Sequence, residues 1–341
     1  MATTLKDVAA YVGVHPSTVS RVLHGKENLK ISAKTNEKIL KAVKKMNYVP
    51  DFTARTLRLK KSFTIGLIVP DILNPYFARI ARRIEQLGFD NKYTVIVCNT
   101  DEHQEKEILF LNELISRGVD GIILAPVQES KEHILSLIEK KTPLVLIDRI
   151  FDDINVDAVI TDNSNSVINA MSHLVDLGHK NIAFLKGQDN IYTIKNRLLG
   201  YYKALTKYKL PKNKKFIVGK GFEFEDGYEA TVELLSLPKI PTAIISSGGD
   251  LVTLGAIKAI VEKGLSIPND ISLIAFFDSY YPPFLATPLT TISHYRKQIG
   301  EKAFNLLLNQ IESKKQNTPK TLCVDTKFDI RKSTAKPNNH K

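Results

Sequence analysis

The chain has 341 residues, 43% of them hydrophobic, and a formal charge of +12. That length suits a small head joined to a two-lobed body. No run approaches the ~20 apolar residues of a membrane span and the start lacks the apolar core of a secretory signal, so a cytoplasmic protein without a membrane partner is expected. Cys98 and Cys323 lie in strand-like apolar runs and read as small core residues, not as a disulfide or metal framework.

Residues 5 to 23 pattern as two short helices joined by a glycine turn, the layout of a helix-turn-helix. Thr4 and Asp7 form a capping box that starts the first helix, whose apolar face is Leu5, Val8, Ala9 and Val12. Gly13 suits the sharp turn, and Pro16 suits the first position of the second helix. Val19, Val22 and Leu23 then bury against the first helix. Pro16, Ser17, Thr18, Ser20 and Arg21 are left to meet base edges and phosphates, with Arg21 the best base reader. An ordinary helical hairpin has the same pattern, but the charge distribution favours DNA. Residues 1 to 61 hold 13 Lys and Arg against 4 Asp and Glu, a net +9, whereas residues 62 to 341 hold 35 against 32, a net +3. Basic charge concentrated on the motif is the footprint expected for phosphate neutralisation.

A third helix, capped by Ser32 with Ile39, Leu40, Val43 and Met46 on a buried stripe, closes the head near Tyr48. The basic stretch 50 to 61 is too short for a stable isolated helix and reads as a hinge that orders when something packs on it. The domain reading is a headpiece over 1–49, a hinge over 50–61, a body over 62–331 and a disordered tail over 332–341.

From Phe63 onward strand-like runs appear at 63–69, 93–98, 121–125, 143–147, 157–161, 181–186, 242–246 and 271–277. Helical-period segments such as Phe77, Ile80, Ala81, Ile84 and Leu87 separate them. This predicts an α/β body of parallel sheets covered by helices on both faces. Ligands in such sheets bind beyond the carboxyl ends of the strands. There the sequence places Asp71 with Asn74, Asp148 with Arg149, Asp162, Asp250 and Asp278. Each aspartate alone also fits a helix cap or turn, yet five at equivalent positions suggest a polar cleft. Tyr76, Phe77 and Phe222 are candidates for the apolar faces of a monosaccharide-sized ring. No G-x-G-x-x-G follows a strand, and no Gly-x-Ser-x-Gly elbow, P-loop or His-Glu-x-x-His is present. Asp101-Glu102-His103 reads as a solvated polar turn, so no catalytic residue, metal or cofactor is expected.

Residues 4 to 61 resemble the headpiece and hinge of the lactose/galactose repressor family, and the remainder follows the family order nearly to the C-terminus. The resemblance implies a helix-turn-helix head on a periplasmic-binding-protein-like body of two doubly wound parallel-sheet lobes. These are an N-lobe over about 62–162 and 292–322 and a C-lobe over about 163–290 and 323–331. It also implies that Leu57, within Ala54-Arg55-Thr56-Leu57, wedges into the minor groove beside Arg55, and that Arg197, with Thr193 one turn before it, holds an effector together with Asp278 and His294. Two positions depart from the family pattern: His15 stands where a serine usually caps the recognition helix, and Gly249 where an asparagine often precedes Asp250.

The expected protein is a homodimeric, ligand-responsive repressor of a carbohydrate-utilisation operon that reads a near-palindromic operator. Corepression or activation uses the same parts, and a plain solute-binding or sensor protein is the other class; no particular protein corepressor is indicated. Arg149 and Arg197 near one cleft favour a sugar acid over a neutral sugar, unless Arg149 pairs with one of the five aspartates. The resemblance makes hexuronates and 2-keto-3-deoxygluconate the first candidates, with pentoses, hexoses and phosphorylated sugars behind them.

Overall fold

The computed structural model describes residues 3–23, 31–48, 61–313 and 318–338, which fall into two compact units dividing at Ser62 and Phe63. Arg55 and Leu57 lie outside the described residues.

In the first unit, helices α1 (Leu5–Val12), α2 (Pro16–Leu23) and α3 (Ala33–Lys45) pack on Val8, Ala9, Val19, Ile39, Ala42 and Tyr48. The Thr4–Asp7 capping box is formed, with the Asp7 amide donating to Thr4 Oγ1 (3.3 Å) and the Thr4 amide to the Asp7 carboxylate (2.8 Å). Gly13 ends α1 at φ +74°, a left-handed conformation that lets both Gly13 and Val14 donate back to the Ala9 carbonyl. Ser32 caps α3 as expected. Leu40 does not join the buried stripe of α3; it is 50% exposed, because the core side runs through Ile39 and Ala42 instead.

The second unit carries two six-stranded sheets. The first has the order β11-β5-β4-β3-β1-β2, formed by β1 (Thr64–Val69), β2 (Thr94–Asn99), β3 (Gly121–Leu124), β4 (Leu144–Ile147), β5 (Asp157–Thr161) and β11 (Thr321–Val324). The second has the order β12-β10-β9-β8-β6-β7, formed by β6 (Ile182–Leu185), β7 (Ile217–Val218), β8 (Ala243–Ser246), β9 (Ser272–Phe276), β10 (Thr290–His294) and β12 (Thr326–Asp329). Every pairing is parallel except β10 with β12.

The strands read as near-continuous apolar runs because both faces are covered. Over the first sheet, α4 (Pro75–Asp90) and α11 (Arg296–Glu312) bury Ile80, Ile84, Phe304 and Leu307 on one side. On the other, α5 (Gln104–Ser116) and α6 (Glu132–Glu139) bury Leu111, Leu114, Ile134 and Leu137. The second sheet is enclosed likewise. Helices α7 (Asn163–Asp176) and α8 (Tyr192–Lys207) supply Val167, Met171, Tyr201 and Leu205, while α9 (Phe224–Leu235) and α10 (Asp250–Glu262) supply Leu234, Val252, Ala256 and Ile260.

The lobe boundaries differ from those expected. Thr290–Ile292 continue the parallel register with β9, so β10 belongs wholly to the second sheet and the chain crosses at Tyr295, not before residue 292. Cys323 and Val324 pair with Ile160 and Thr161, so the last crossing falls after Val324. β2 and β11 are the two edges of the first sheet, so Cys98 is half-buried and packs against the edge of the core, whereas Cys323 is exposed and not a core residue. The expectation of a disordered tail fails for residues 332–338. Ser333 is fully buried, and its hydroxyl donates to the Leu273 carbonyl (2.6 Å) and accepts from the Thr290 amide (2.7 Å). The Ala335 carbonyl meets His179 Nε2 at 2.8 Å.

Candidate functional site

Two surfaces carry polar groups beyond what the fold needs. On the head, Ser17 and Arg21 are exposed one turn apart on α2, with Pro16, Thr18 and Ser20 half-buried beside them. His15 takes the capping position. Its Nδ1 accepts from the Ser17 amide (3.2 Å) and lies 2.8 Å from the Ser17 hydroxyl, so an imidazole lone pair does what a serine oxygen does elsewhere. An accepting Nδ1 requires the hydrogen on Nε2.

In the body, the strand ends of both sheets open onto one cavity of about 490 Å3, a size suited to a small ligand. Twelve of the thirteen residues expected there line it: Asp71, Asn74, Tyr76, Phe77, Asp148, Arg149, Thr193, Arg197, Phe222, Asp250, Asp278 and His294. Asp162 does not; it caps α7, accepting from the Asn165 amide (3.1 Å) and side chain (2.7 Å).

Arg197, 8% exposed on α8, is held on several sides. Its Nε donates to Asn163 Oδ1 (2.7 Å), Nη1 to the Ser247 carbonyl (2.6 Å) and Nη2 to His294 Nε2 (3.3 Å), with the guanidinium 3.8 Å from the centre of the Phe276 ring. Burial pulls its pKa below the ordinary arginine value, opposed by the carboxylates of Asp148 and Asp278. Because a guanidinium only donates, His294 Nε2 accepts and Nδ1 carries the hydrogen toward Asp278 Oδ2, 2.6 Å away. Asp278 also pairs with Arg296 and accepts from the His294 amide (3.0 Å). Burial alone would raise its pKa, but the hydrogen bonds from the His294 ring and amide, with the charge of Arg296, outweigh that and hold it at about 2.

Opposite, Asp148 sits at the end of β4 with left-handed backbone, φ +66°, a strain that non-glycine residues carry rarely and often at functional sites. Tyr76, edge-on to His294 at 4.7 Å, buries its hydroxyl without a hydrogen-bond partner among the described residues, as Ser247 does. Burial and the nearby Asp148 raise the Tyr76 pKa well above the usual phenol range. Tyr76 lines the cavity, and its hydroxyl is a group that a ligand hydroxyl can complete.

The acidic side chains are mostly committed. Asp250 accepts from the amides of Asp278 (2.9 Å) and Ser279 (3.1 Å), tying α10 to the turn after β9. Asp71 accepts from the Leu73 amide (2.8 Å), and Asn74 caps α4. The sequence reading missed Glu102. It forms a fork with Arg149, Nη1 to Oε2 at 2.7 Å and Nη2 to Oε1 at 2.5 Å, and both residues line the cavity. Burial opposes the Arg149 charge, but Glu102 more than restores it and its pKa is raised. Asp148 stands 3.6 Å from Arg149 Nε. Asp101 and Glu102 both have positive φ, +50° and +58°, a turn that swings Glu102 into the cleft and that no sequence signal announced. Arg149 is therefore not the free cation on which the sugar-acid expectation rested. The cavity is lined by eight carboxylate residues, including Asp101, Glu223 and Asp226, against two arginines.

A helix-turn-helix head and a two-lobed body with a ligand-sized polar cleft define a ligand-responsive, DNA-binding regulator of transcription. Family models agree: residues 4–51 match bacterial regulatory proteins of the lacI family, and residues 62–332 match the periplasmic binding proteins and sugar binding domain of the LacI family. The chain belongs to the LacI family of transcriptional regulators. It is 36% identical over 309 residues to catabolite control protein A of Priestia megaterium, covering 90% of this chain and 92% of that protein. Among solved structures, it is similar to the lac repressor dimer bound to operator and the anti-inducer ONPF, with a TM-score of 0.87 and 26% identity over 98% of this chain and 100% of the other. A LacI-family regulator of Enterococcus faecium with bound ribose gives 0.73 and 30%, covering 81% of this chain and all of that one. Among the described residues, no helix is long and apolar enough to cross a membrane.

Proposed function

We propose that the protein is a homodimeric, cytoplasmic, non-enzymatic repressor of a carbohydrate-utilisation operon, released by a neutral polyhydroxylated effector of about monosaccharide size. Ser17, Thr18, Ser20 and Arg21 would read and grip the operator, with Thr4 and Pro16 setting the helix starts and Arg55 and Leu57 of the hinge entering the minor groove. The likeness to the lac repressor dimer on its operator supports dimeric DNA binding, and the ribose-bound relative supports a sugar effector.

The observation that carries the neutral-effector reading is the Arg149–Glu102 fork. With Arg149 neutralised, Arg197 is the one cleft cation left to face a ligand among the described residues, and Asp148 and Asp278 face it too. A carboxylate or phosphate would meet more negative than positive charge there. Hydroxyls suit the same groups, since they donate to Asp148 and accept from Arg197 and Tyr76, while Phe77 and Phe222 supply apolar faces.

Calorimetry of neutral aldoses, hexuronates and sugar phosphates against the protein tests this. A neutral sugar binding, and losing its binding in Arg197→Met with the fold intact, is the expected result. Tight binding of acids alone would refute the neutral assignment.

A further inference from the structure

Helix α8 carries both Thr193 and Arg197 into the cleft, yet it has no cap of its own: Ile191 at the N-cap position offers no side-chain acceptor. The acceptor comes from the other lobe. Gln128, in the loop after β3, takes the Tyr192 amide hydrogen on Oε1 and donates from Nε2 to the Ile150 carbonyl at 2.8 Å. One amide side chain thus joins the first helical residue of α8 to the first lobe.

The loop that presents Gln128 is itself braced. Val127 donates its amide to the fully buried Glu107 (2.6 Å), which also meets His133 at 2.6 Å, and the Pro126 carbonyl accepts from Arg149 Nη1 at 3.3 Å. Arg149 lines the cleft. Contacts therefore run in a ring: from the cleft through Arg149 to the 126–128 loop, across the lobes at Gln128, and along α8 back to the cleft at Arg197.

We infer that Gln128 is a positioning residue that couples lobe closure to the effector cleft by capping α8 in trans. The lobes cannot separate without leaving the Tyr192 amide and the positive end of the helix uncapped, and a ligand that bridges Asp148, next to Arg149 in the first lobe, and Arg197 in the second favours the state in which the cap is made. This rests on the reading that an effector sits in the cleft, but its test needs no ligand, so failure of one is distinguishable from failure of the other.

The test uses full-length protein without added sugar. Residue-resolved hydrogen exchange reports the Tyr192 amide, and electron-spin distance measurements report closure between labels at Lys140 and Lys209, in a Cys98→Ser, Cys323→Ser background diluted with unlabelled chain. In Gln128→Leu, Tyr192 should exchange roughly tenfold faster, the scale of one lost hydrogen bond. The Lys140–Lys209 distribution should lengthen and strand Ile182–Leu185 should stay protected. Gln128→Glu, which keeps an acceptor and adds a charge favoured at a helix N-terminus, should restore Tyr192 protection. Unchanged Tyr192 exchange, faster exchange shared by Ile182–Leu185, an unchanged distance distribution, or no restoration by glutamate would each overturn the assignment.

Discussion

His294 Nδ1 and Asp278 Oδ2 stand 2.6 Å apart in a buried bond that joins the end of β10 to the turn after β9 and sets which ring nitrogen of the imidazole meets Arg197. The bond makes Asp278 an organiser of the cleft as much as a ligand contact. Its other oxygen already serves Arg296 and the His294 amide.

Asp278 should therefore give the protein an acid-sensitive stability. Its folded pKa of about 2 lies below the ordinary 3.8, so the contribution is present above about pH 4 and is lost as pH falls toward 2. Urea denaturation of Asp278→Asn at pH 7 should show a loss of about 2 kcal/mol, and this variant should lack the corresponding decline between pH 4 and 2. Identical acid limbs in the two proteins would contradict the pairing.

Freeing Arg149 should change what the cleft accepts. Glu102→Gln removes the countercharge while keeping a similar shape, so glucuronate affinity should rise about tenfold or more relative to glucose, as read by calorimetry. Breaking this largely buried pair should also lower stability by about 3 kcal/mol. No change in the acid-to-neutral ratio would mean that Arg149 does not face the ligand.

On the head, His15→Ala should cost about 1 kcal/mol of head stability and lower operator affinity severalfold, because the Ser17 amide loses its acceptor. His15→Asn, a better-known cap, should behave as wild type. Fluorescence anisotropy on operator DNA distinguishes them, and equal losses in both variants would show that the ring contributes something other than capping.

Much of this was legible in the residues. The capping box at Thr4 and Asp7, the turn at Gly13 and the acidic strand ends with their aromatic neighbours follow from local rules and located the head and nine cleft residues, while Thr193, Arg197 and His294 came from the family resemblance. What escaped depends on distant partners. Asp162 and Asp148 look alike in sequence, yet one caps α7 while the other is held in a left-handed turn. Glu102 neutralises Arg149 across 47 positions. The short strands β10 and β12 gave little apolar signal of their own, and the tail is ordered by Ser333 docking between Leu273 and Thr290. Leu40 faced outward because three-helix packing needed only one side of α3.

On the proposed function, one ligand in the cleft and one operator on the head share a single equilibrium. The direct measurement is operator affinity at fixed salt, titrated with the neutral sugar that binds best, alongside sugar affinity with and without operator. The two shifts should be the same factor, within the ~5- to 150-fold range usual for such coupling, and Arg197→Met should abolish both while leaving ligand-free operator binding intact. An operator affinity indifferent to every compound that occupies the cleft would contradict the account.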